Sequence, residues 1–211
     1  MKELIIIGAG GYGRELFHLC EDCIGYGKTF KVVGYIDDTI DPLKNYIGYP
    51  PVIGDIESHH VAENQVFICS ISNVQIRSVI INKLSSRGAV FINLIHSTAR
   101  IVKTSKLGTG CIVGPLVSIG ADVSIGDFCL FQTGVIVGHD VEISENSRVD
   151  NYAIIVAGVK LKKNTTIHSN SVINANVIVE EGAIIGACSF VVRNVKSGTT
   201  VYGNPAKILF K

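Results

Sequence analysis

The chain has 211 residues, which is enough for two modest domains. Its 19 basic and 18 acidic residues give a net charge of +1 and form no basic stripe, so nucleic acid is a poor candidate partner. No apolar run approaches the length of a membrane span and the N-terminus does not read as a signal peptide. We therefore expect a cytoplasmic protein without membrane insertion, whose cysteines are free thiols.

The first ninety residues have the pattern of a βαβ unit. Short apolar runs flank a glycine-rich turn and a segment with helical spacing. The expected elements are a strand over Leu4–Ile7, a helix from about Arg14 to Gly25, and strands over Lys31–Ile36, near Gln65–Ser70 and near Ala89–Asn93. We predict that residues 1–93 form a small Rossmann-like α/β domain.

The turn between the first strand and the helix matches GxGxxG, and Asp37 follows directly after the next predicted strand. Such a turn exposes backbone N–H groups to an anion such as a pyrophosphate. A nicotinamide cofactor and the nucleotide half of a sugar substrate both remain candidates. The short domain favours the nucleotide-sugar, and a turn that merely packs helix on strand is the alternative. The predicted contacts are Gly8, Gly10, Gly11, Tyr12, Gly13, Asp37 and Asp38.

Cys20 and Cys23 form a CxxC pattern within the predicted helix, which raises the question of zinc or redox chemistry. No second Cys/His pair stands at ligand spacing. We therefore interpret the two cysteines as small, partly buried side chains and predict no metal.

From Ile95 to Val191, every sixth residue is apolar without a break, which makes seventeen positions in phase. A second set of small residues lies four positions after each of the first sixteen. A period of six fits neither an α-helix nor simple strand alternation, and it predicts short strands and turns that stack as a parallel β-helix. We assign residues 94–194 to this β-helix and residues 195–211 to a C-terminal cap.

Two consequences follow from the hexapeptide pattern. If three hexapeptides make one coil, each residue lies over its equivalent in the preceding coil, at about 4.8 Å. Glycine often follows the apolar residue, as in Gly108, Gly120 and Gly138, and we expect these glycines to occupy corners of unusual φ.

His139 follows the apolar Val137 by two positions, so its side chain should leave the interior beside Asp140. An exposed imidazole next to a carboxylate is a candidate general base, and an ordinary surface histidine is the alternative. Ala157 and Ala175 would stack above His139 and leave a groove for an acyl donor. The backbone N–H of Ala157 or Gly158 would serve an oxyanion. His96 and His168 are weaker candidates.

The order of these features resembles the bacterial hexapeptide-repeat sugar acetyltransferases, which include sialic acid O-acetyltransferases and nucleotide-amino-sugar N-acetyltransferases. The resemblance rests on the glycine-rich turn, the hexapeptide repeat, and the segments Val137-Gly138-His139-Asp140 and Gly203-Asn204-Pro205-Ala206. It implies a left-handed β-helix, a homotrimer with active sites between subunits, and acetyl-CoA as co-substrate. His139 would be the base, with Asp140 as its acidic neighbour. The implied acetyl-CoA contacts are Arg148, Ala157, Gly158, Ala175, Gly186, Ala187 and Pro205.

Several positions depart from the family pattern, among them Tyr12, Gln132 and Arg148, where relatives often have His, Asn and His. The base itself is retained. We expect N-acetylation of a nucleotide-linked 4-amino-4,6-dideoxyhexose for surface-glycan biosynthesis, such as that of lipopolysaccharide or O-antigen. A sugar O-acetyltransferase is the second candidate. A non-enzymatic β-helix scaffold is the third.

Overall fold

A computed structural model describes residues 1–210. The chain divides into two compact units, Met1–Ser97 and the segment from Thr98 onward. None of the helices within residues 1–210 has the length and apolar character that crossing a bilayer requires.

The N-terminal unit is a small α/β fold with a parallel four-stranded sheet. Its order is β3-β2-β1-β4, and its central strands are buried. The elements are β1 (Lys2–Ile7), α1 (Gly11–Glu21), β2 (Phe30–Ile36), β3 (Val52–Gly54), β4 (Gln65–Cys69), α2 (Val74–Ser86) and β5 (Leu94–Ile95).

Helix α1 begins and ends earlier than the sequence predicts. The segment Arg14 to Gly25 was the expected helix, whereas the structure starts it at Gly11 and ends it at Glu21. Gly10 is extended and acts as the N-cap, so the glycine-rich turn itself supplies the first helical turn. Gly25 has a φ of +93°, which a helix does not permit.

The predicted strand at Ala89–Asn93 is wrong as a continuous element. Only Phe91 forms a bridge, with Phe67 of β4, through hydrogen bonds from Phe67 N to Val90 O and from Ile92 N to Phe67 O. The strand β3 was not predicted. It pairs with the end of β2, where Gly34 lets Pro51 and Ile53 approach closely.

The second unit is a parallel β-helix, as the six-residue period predicts. Its strands are two residues long and recur every six residues. They are β6 (Arg100–Ile101), β7 (Lys106–Leu107), β8 (Ile112–Val113), β9 (Ser118–Ile119), β10 (Ser124–Ile125), β11 (Leu130–Phe131), β12 (Ile136–Val137), β13 (Glu142–Ile143), β14 (Arg148–Val149), β15 (Ile154–Ile155), β16 (Lys160–Leu161), β17 (Thr166–Ile167), β18 (Val172–Ile173), β19 (Ile178–Val179), β20 (Ile184–Ile185) and β21 (Phe190–Val191).

These strands stack in three faces of a triangular prism. Face 1 contains β7, β10, β13, β16 and β19, face 2 contains β8, β11, β14, β17 and β20, and face 3 contains β6, β9, β12, β15, β18 and β21. Paired strands are three hexapeptides apart in the chain, as in Val137 opposite Ile155. The predicted coil of three hexapeptides is therefore confirmed. We call the passage from face 3 to face 1 the first corner and that from face 2 to face 3 the second corner.

The interior of the prism holds the apolar side chains that recur at every sixth position, most of which are fully buried. Small polar side chains, which belong to the second set of small residues four positions after the apolar ones, fill the remaining space. They donate to backbone carbonyls of the next coil. Ser105 Oγ donates to Gly120 O at 2.6 Å and Ser171 Oγ to Gly186 O at 2.8 Å. Because buried carbonyls are costly to leave unpaired, these residues are small and polar for a physical reason.

The prediction that the glycines after the apolar residue need unusual φ is wrong. Gly108, Gly120 and Gly138 do not have positive φ. They are required because the backbone of the next coil lies close above them: a Cβ on Gly138 would lie 2.9 Å from Ala157 N. The left-handed residue instead stands three positions after the apolar one, in every unit from Leu107 to Ile185.

The top of the prism departs from the regular repeat. Val195 pairs with Val179, although less than three full hexapeptides separate them. The last turn of the first corner, between β21 and Val195, is two residues shorter than the other turns of that corner. Strand β22 (Thr200–Gly203) then stacks on β20 and forms an antiparallel hairpin with β23 (Ala206–Phe210). This hairpin continues face 2 beyond β20.

Candidate active site

His139 and Asp140 form the tip of a first-corner turn between β12 and β13. Asp140 has a φ of +57°, the left-handed conformation shared by its first-corner equivalents Asp122, Gly158 and Asn176. Its N–H donates to Ala121 O of the coil below at 3.0 Å. The His139 carbonyl accepts from Gly158 N of the coil above at 3.0 Å. The backbone of the turn is therefore fixed on both sides, and both side chains point outward.

The two side chains are joined directly. His139 Nδ1 lies 2.6 Å from Asp140 Oδ2, and each side chain is 67% exposed. A carboxylate accepts, so the proton of neutral imidazole is placed on Nδ1 and the lone pair on Nε2. An exposed pair of this kind adds little to stability. What it provides is an oriented imidazole whose Nε2 can accept a proton from a substrate.

The backbone hydrogen bonds above His139 distinguish the two predicted oxyanion donors, Ala157 and Gly158. The Gly158 N–H is engaged with the His139 carbonyl, so its assignment as an oxyanion donor is wrong. Among the backbone hydrogen bonds within residues 1–210, none uses the Ala157 N–H. Because each peptide N–H makes one good hydrogen bond, the Ala157 N–H remains available as a donor in the coil above His139, whereas the Gly158 N–H does not.

The side chains above His139 form a regular column at the first corner. Ala157 and Ala175 follow at successive coils, and Arg193 stands in the third coil above His139. A groove lies beside Asp140 on face 1, with a volume of about 630 Å³. Asp122 and Glu142 line it as well, which gives it an acidic character.

A second polar cluster, which the sequence analysis did not predict, lies at the second corner. Asp150 is 3% exposed and accepts from Arg148 at both oxygens, with Nε at 2.5 Å and Nη2 at 3.0 Å. His168 Nδ1, one coil above, lies 2.9 Å from Asp150 Oδ2. The sequence signal that could have revealed this contact is the spacing of Asp150 and His168, which are one whole coil apart. The guanidinium of Arg148 is thus held in place on this corner.

The predicted acetyl-CoA contacts fall at different places on the prism. Ala157, Gly158 and Ala175 share the first corner with His139. Gly186 stacks over His168 at the second corner, with Ala187 next to it. Pro205 lies in the turn between β22 and β23. One copy of the β-helix therefore does not bring these contacts together around His139.

The glycine-rich turn of the N-terminal unit lines a cavity of about 270 Å³. A Cβ on Gly10 or Gly11 would meet nothing within 4 Å, whereas one on Gly13 would collide with the Gly8 carbonyl. Gly8 itself has a φ of +96°. The first turn of α1 holds no acidic residue, and its N-cap makes no side-chain hydrogen bond. Gly10 and Gly11 therefore leave room for a ligand, and Gly13 serves packing.

The two predicted acidic contacts also organise the chain around this turn. Asp37 accepts from Ala9 N at 2.6 Å and from Thr39 N at 2.8 Å, and it lines the cavity. Asp38 accepts from Ile56 N at 2.7 Å and is not among the lining residues. Tyr12, half-buried, lines the cavity as well. Nucleotide contacts from these residues stay predictions.

Neither cysteine of the CxxC pattern is placed for chemistry. Cys20 and Cys23 are buried, and burial is the main cause of the raised pKa of both thiols, to about 12 for Cys23. His96 is also nearly buried, with Nε2 3.8 Å from Asp22 Oδ2. These groups stabilise the N-terminal unit.

Comparison with known proteins agrees with this architecture. Residues 3–84 match the PglD N-terminal domain, and residues 92–209 match the GMPPB C-terminal domain. Fold and site together define a hexapeptide-repeat β-helix of the sugar acetyltransferase type. The chain belongs to the GMPPB C-terminal domain family, and the resemblance to hexapeptide-repeat nucleotide-sugar acetyltransferases is confirmed.

Individual relatives cover different shares of the chain. The curated UDP-N-acetylbacillosamine N-acetyltransferase of Bacillus subtilis (strain 168) is 25% identical over 117 residues, which are 54% of this chain and 51% of that protein. The matching segment thus spans about half the length of the relative.

Two solved structures are similar over nearly the whole chain. The acetyltransferase domain of PglB from Neisseria gonorrhoeae FA1090 has a TM-score of 0.89 at 25% identity, covering 99% of this chain and 100% of that one. PerB from Caulobacter crescentus, in complex with CoA and GDP-perosamine, has a TM-score of 0.83 at 25% identity, covering 99% and 97%.

Proposed function

We propose that this protein is an acetyl-CoA-dependent N-acetyltransferase that acts on the amino group of a nucleotide-linked amino-deoxysugar. The observation that carries the proposal is the outward His139–Asp140 pair beneath the unused Ala157 N–H. The similarity to a UDP-N-acetylbacillosamine N-acetyltransferase and to a structure holding CoA and GDP-perosamine supports it. The product would serve surface-glycan biosynthesis.

The chemistry is a direct transfer. His139 Nε2 takes a proton from the acceptor amine as its nitrogen attacks the thioester carbonyl, and Asp140 holds the imidazole orientation. The Ala157 N–H donates to the oxygen on which negative charge develops. CoA leaves as the thiolate. No protein residue is acylated, which is consistent with the buried positions of Cys111 and Cys129.

An amine acceptor suits the charge beside His139. The groove along face 1 carries Asp122 and Asp140, and these carboxylates attract a sugar ammonium before it is deprotonated. Glu142 in the same groove is already paired with Lys160 at 2.8 Å. A neutral hydroxyl gains nothing from this field, so the groove favours the amine over the hydroxyl of an O-acetyltransferase.

The N-terminal unit binds the nucleotide of the acceptor in this proposal. Gly10 and Gly11 leave open space at the start of α1, where backbone N–H groups and the helix dipole favour a diphosphate. Asp37 at the rim of the cavity retains lone pairs for a ribose or base.

The active assembly is a homotrimer with sites between subunits. Support comes from the separation of the expected acetyl-CoA contacts over two corners of one prism, because a second copy is needed to join them in one site. Sedimentation equilibrium should then give three chains of 22.6 kDa. A monomer with full activity would contradict this arrangement.

The proposal is tested with paired acceptors. Acetyl-CoA is incubated with a nucleotide-linked 4-amino-4,6-dideoxyhexose or with its 4-hydroxy counterpart, and mass spectrometry looks for one added acetyl group. We expect acetylation of the amino sugar only. Acetylation of a hydroxylated sugar alone would favour the O-acetyltransferase. A protein that neither reacts nor gains thermal stability with acetyl-CoA would be a scaffold.

A further inference from the structure

Arg14 directly follows the glycine-rich turn, and its guanidinium has no anionic partner. The guanidinium carbon Cζ lies 3.5 Å from the centroid of the Tyr46 ring, so the planar group is placed over the face of that ring. No ion pair within residues 1–210 involves Arg14. The N–H groups at the edge of the guanidinium are therefore available to donate to an anion.

The cavity at the glycine-rich turn needs a cation if it is to hold a diphosphate. Its described lining residues include one carboxylate, that of Asp37, and no cationic side chain. The start of a helix supplies the equivalent of only about half an elementary charge, whereas a diphosphate carries more than one. Arg14 is the next residue in the chain after Gly13, which lines the cavity.

The helix brings the Arg14 side chain close to this cavity. Arg14 N donates to Gly10 O at 3.0 Å, which closes the first turn of α1. Side chains of a helix lean toward its N-terminus and lie over the preceding turn. Arg14 stands three residues after Gly11, which is about 4.5 Å along the helix axis. An extended arginine side chain covers that distance, so the guanidinium can reach the N-terminal end of α1.

The ring beneath Arg14 is held in place by further aromatic contacts. Tyr46 belongs to the segment 37–51, which joins β2 to β3 and begins at the edge of the cavity. The Tyr46 ring packs edge-on against Tyr49, with centroids 6.4 Å apart, and Tyr49 packs against Phe17 of α1 at 5.9 Å. A guanidinium stacked on a fixed ring keeps its donors in one plane, which suits the oxygens of a phosphate.

We infer that Arg14 binds the diphosphate of the acceptor nucleotide and that Tyr46 is the positioning residue that holds its guanidinium. The inference rests on the proposed function and adds a cation to the nucleotide site at the glycine-rich turn. The diphosphate does not react during acetyl transfer. Its contact with Arg14 is therefore made equally in the ground state and the transition state, which lowers KM for the sugar nucleotide without altering kcat.

Calorimetry with UDP, dTDP and GDP tests the contact. For whichever of the three binds the wild type most tightly, Arg14→Gln should weaken binding by about tenfold or more, because a charge-assisted hydrogen bond is lost. The corresponding nucleoside, followed by NMR titration, should bind both proteins equally because it has no phosphate. Lys31→Gln is the matched control, since Lys31 is an exposed cation near the start of β2, at the other end of that strand from Asp37. It should bind the diphosphate like the wild type.

Two substitutions of Tyr46 test the positioning role. Tyr46→Leu removes the aromatic face and should weaken the same nucleoside diphosphate by about threefold or more. Tyr46→Phe keeps the face and should bind like the wild type. Equal losses in the two variants would assign the effect to the hydroxyl and overturn the positioning role, and so would wild-type affinity in Tyr46→Leu.

Steady-state kinetics separates the contact from a general defect. In Arg14→Gln, KM for the sugar nucleotide should rise about tenfold or more, while kcat and KM for acetyl-CoA stay at the wild-type values. A lowered melting temperature with unchanged affinity for the diphosphate would overturn the inference and make the Arg14–Tyr46 contact purely structural. Equal weakening of the nucleoside and the diphosphate would overturn it as well. A wild-type protein that binds none of the three diphosphates would overturn both the inference and the proposed nucleotide site.

Discussion

The Gly158 N–H donates to the His139 carbonyl at 3.0 Å, and this bond determines which backbone donor remains for catalysis. It fixes the turn that presents the imidazole and removes Gly158 from the set of oxyanion ligands. The adjacent Ala157 N–H is left for a substrate. A single inter-coil hydrogen bond thus links the stacking of the β-helix to the chemistry proposed for its corner.

Ala157→Pro should strongly lower the rate of transfer while preserving the fold. Proline has no N–H, and the equivalent position of a second-corner turn already holds a proline, Pro115, before the left-handed Leu116. Loss of one oxyanion donor lowers kcat by about a hundredfold to a thousandfold. Steady-state kinetics gives the value. Ala175→Pro, one coil higher in the column, is the control and should retain kcat.

Gly11→Val should impair the nucleotide site without unfolding the protein. A Cβ at Gly11 meets open space, so the variant should melt like the wild type but show a raised KM for the sugar nucleotide. Gly13→Ala is the contrasting change, because its Cβ would collide with the Gly8 carbonyl and should lower the melting temperature. Unchanged sugar-nucleotide affinity in Gly11→Val would argue against substrate binding at this turn.

Asp150→Asn should destabilise the β-helix by about 3 kcal/mol, because it leaves the Arg148 guanidinium without its buried counter-ion. Urea unfolding at fixed protein concentration measures the change. The control is Glu142→Gln, which breaks the exposed pair with Lys160 and should cost less than about 1 kcal/mol. Similar losses in both variants would show that burial of Asp150 has no special effect.

Native labelling with a thiol reagent should modify Cys188 rapidly and the other five cysteines slowly. Cys188 is exposed and the rest are buried. Burial raises the pKa of Cys69 to about 11, which removes its thiolate at neutral pH. The Cys129 side-chain hydrogen bond lowers the pKa of Cys111, but that thiol is inaccessible. Cys188→Ser should lose the fast phase and keep full transfer activity, whereas an inactive variant would indicate a covalent route.

The six-residue period was sufficient to predict the β-helix and the outward position of His139, whereas the register of three hexapeptides per coil was an assumption that the family resemblance supported. It did not reveal the left-handed residue of each turn, since Asp140, Tyr152 and Cys188 occupy that position as well as glycine. The inter-coil bond from Gly158 was equally hidden, because every residue carries the same N–H. The contact of Asp150 with His168 could have been predicted from the sequence, since residues one whole coil apart must stack.

The most direct test of the account is the release of CoA thiol with a nucleotide-linked 4-amino sugar as acceptor, in the wild type and in His139→Ala. The His139 side chain is 67% exposed and contributes little to packing, so the variant should keep the melting temperature of the wild type. Removal of the general base should lower kcat by about a hundredfold to ten-thousandfold. A folded His139→Ala protein that turns over at the wild-type rate would contradict the proposed mechanism.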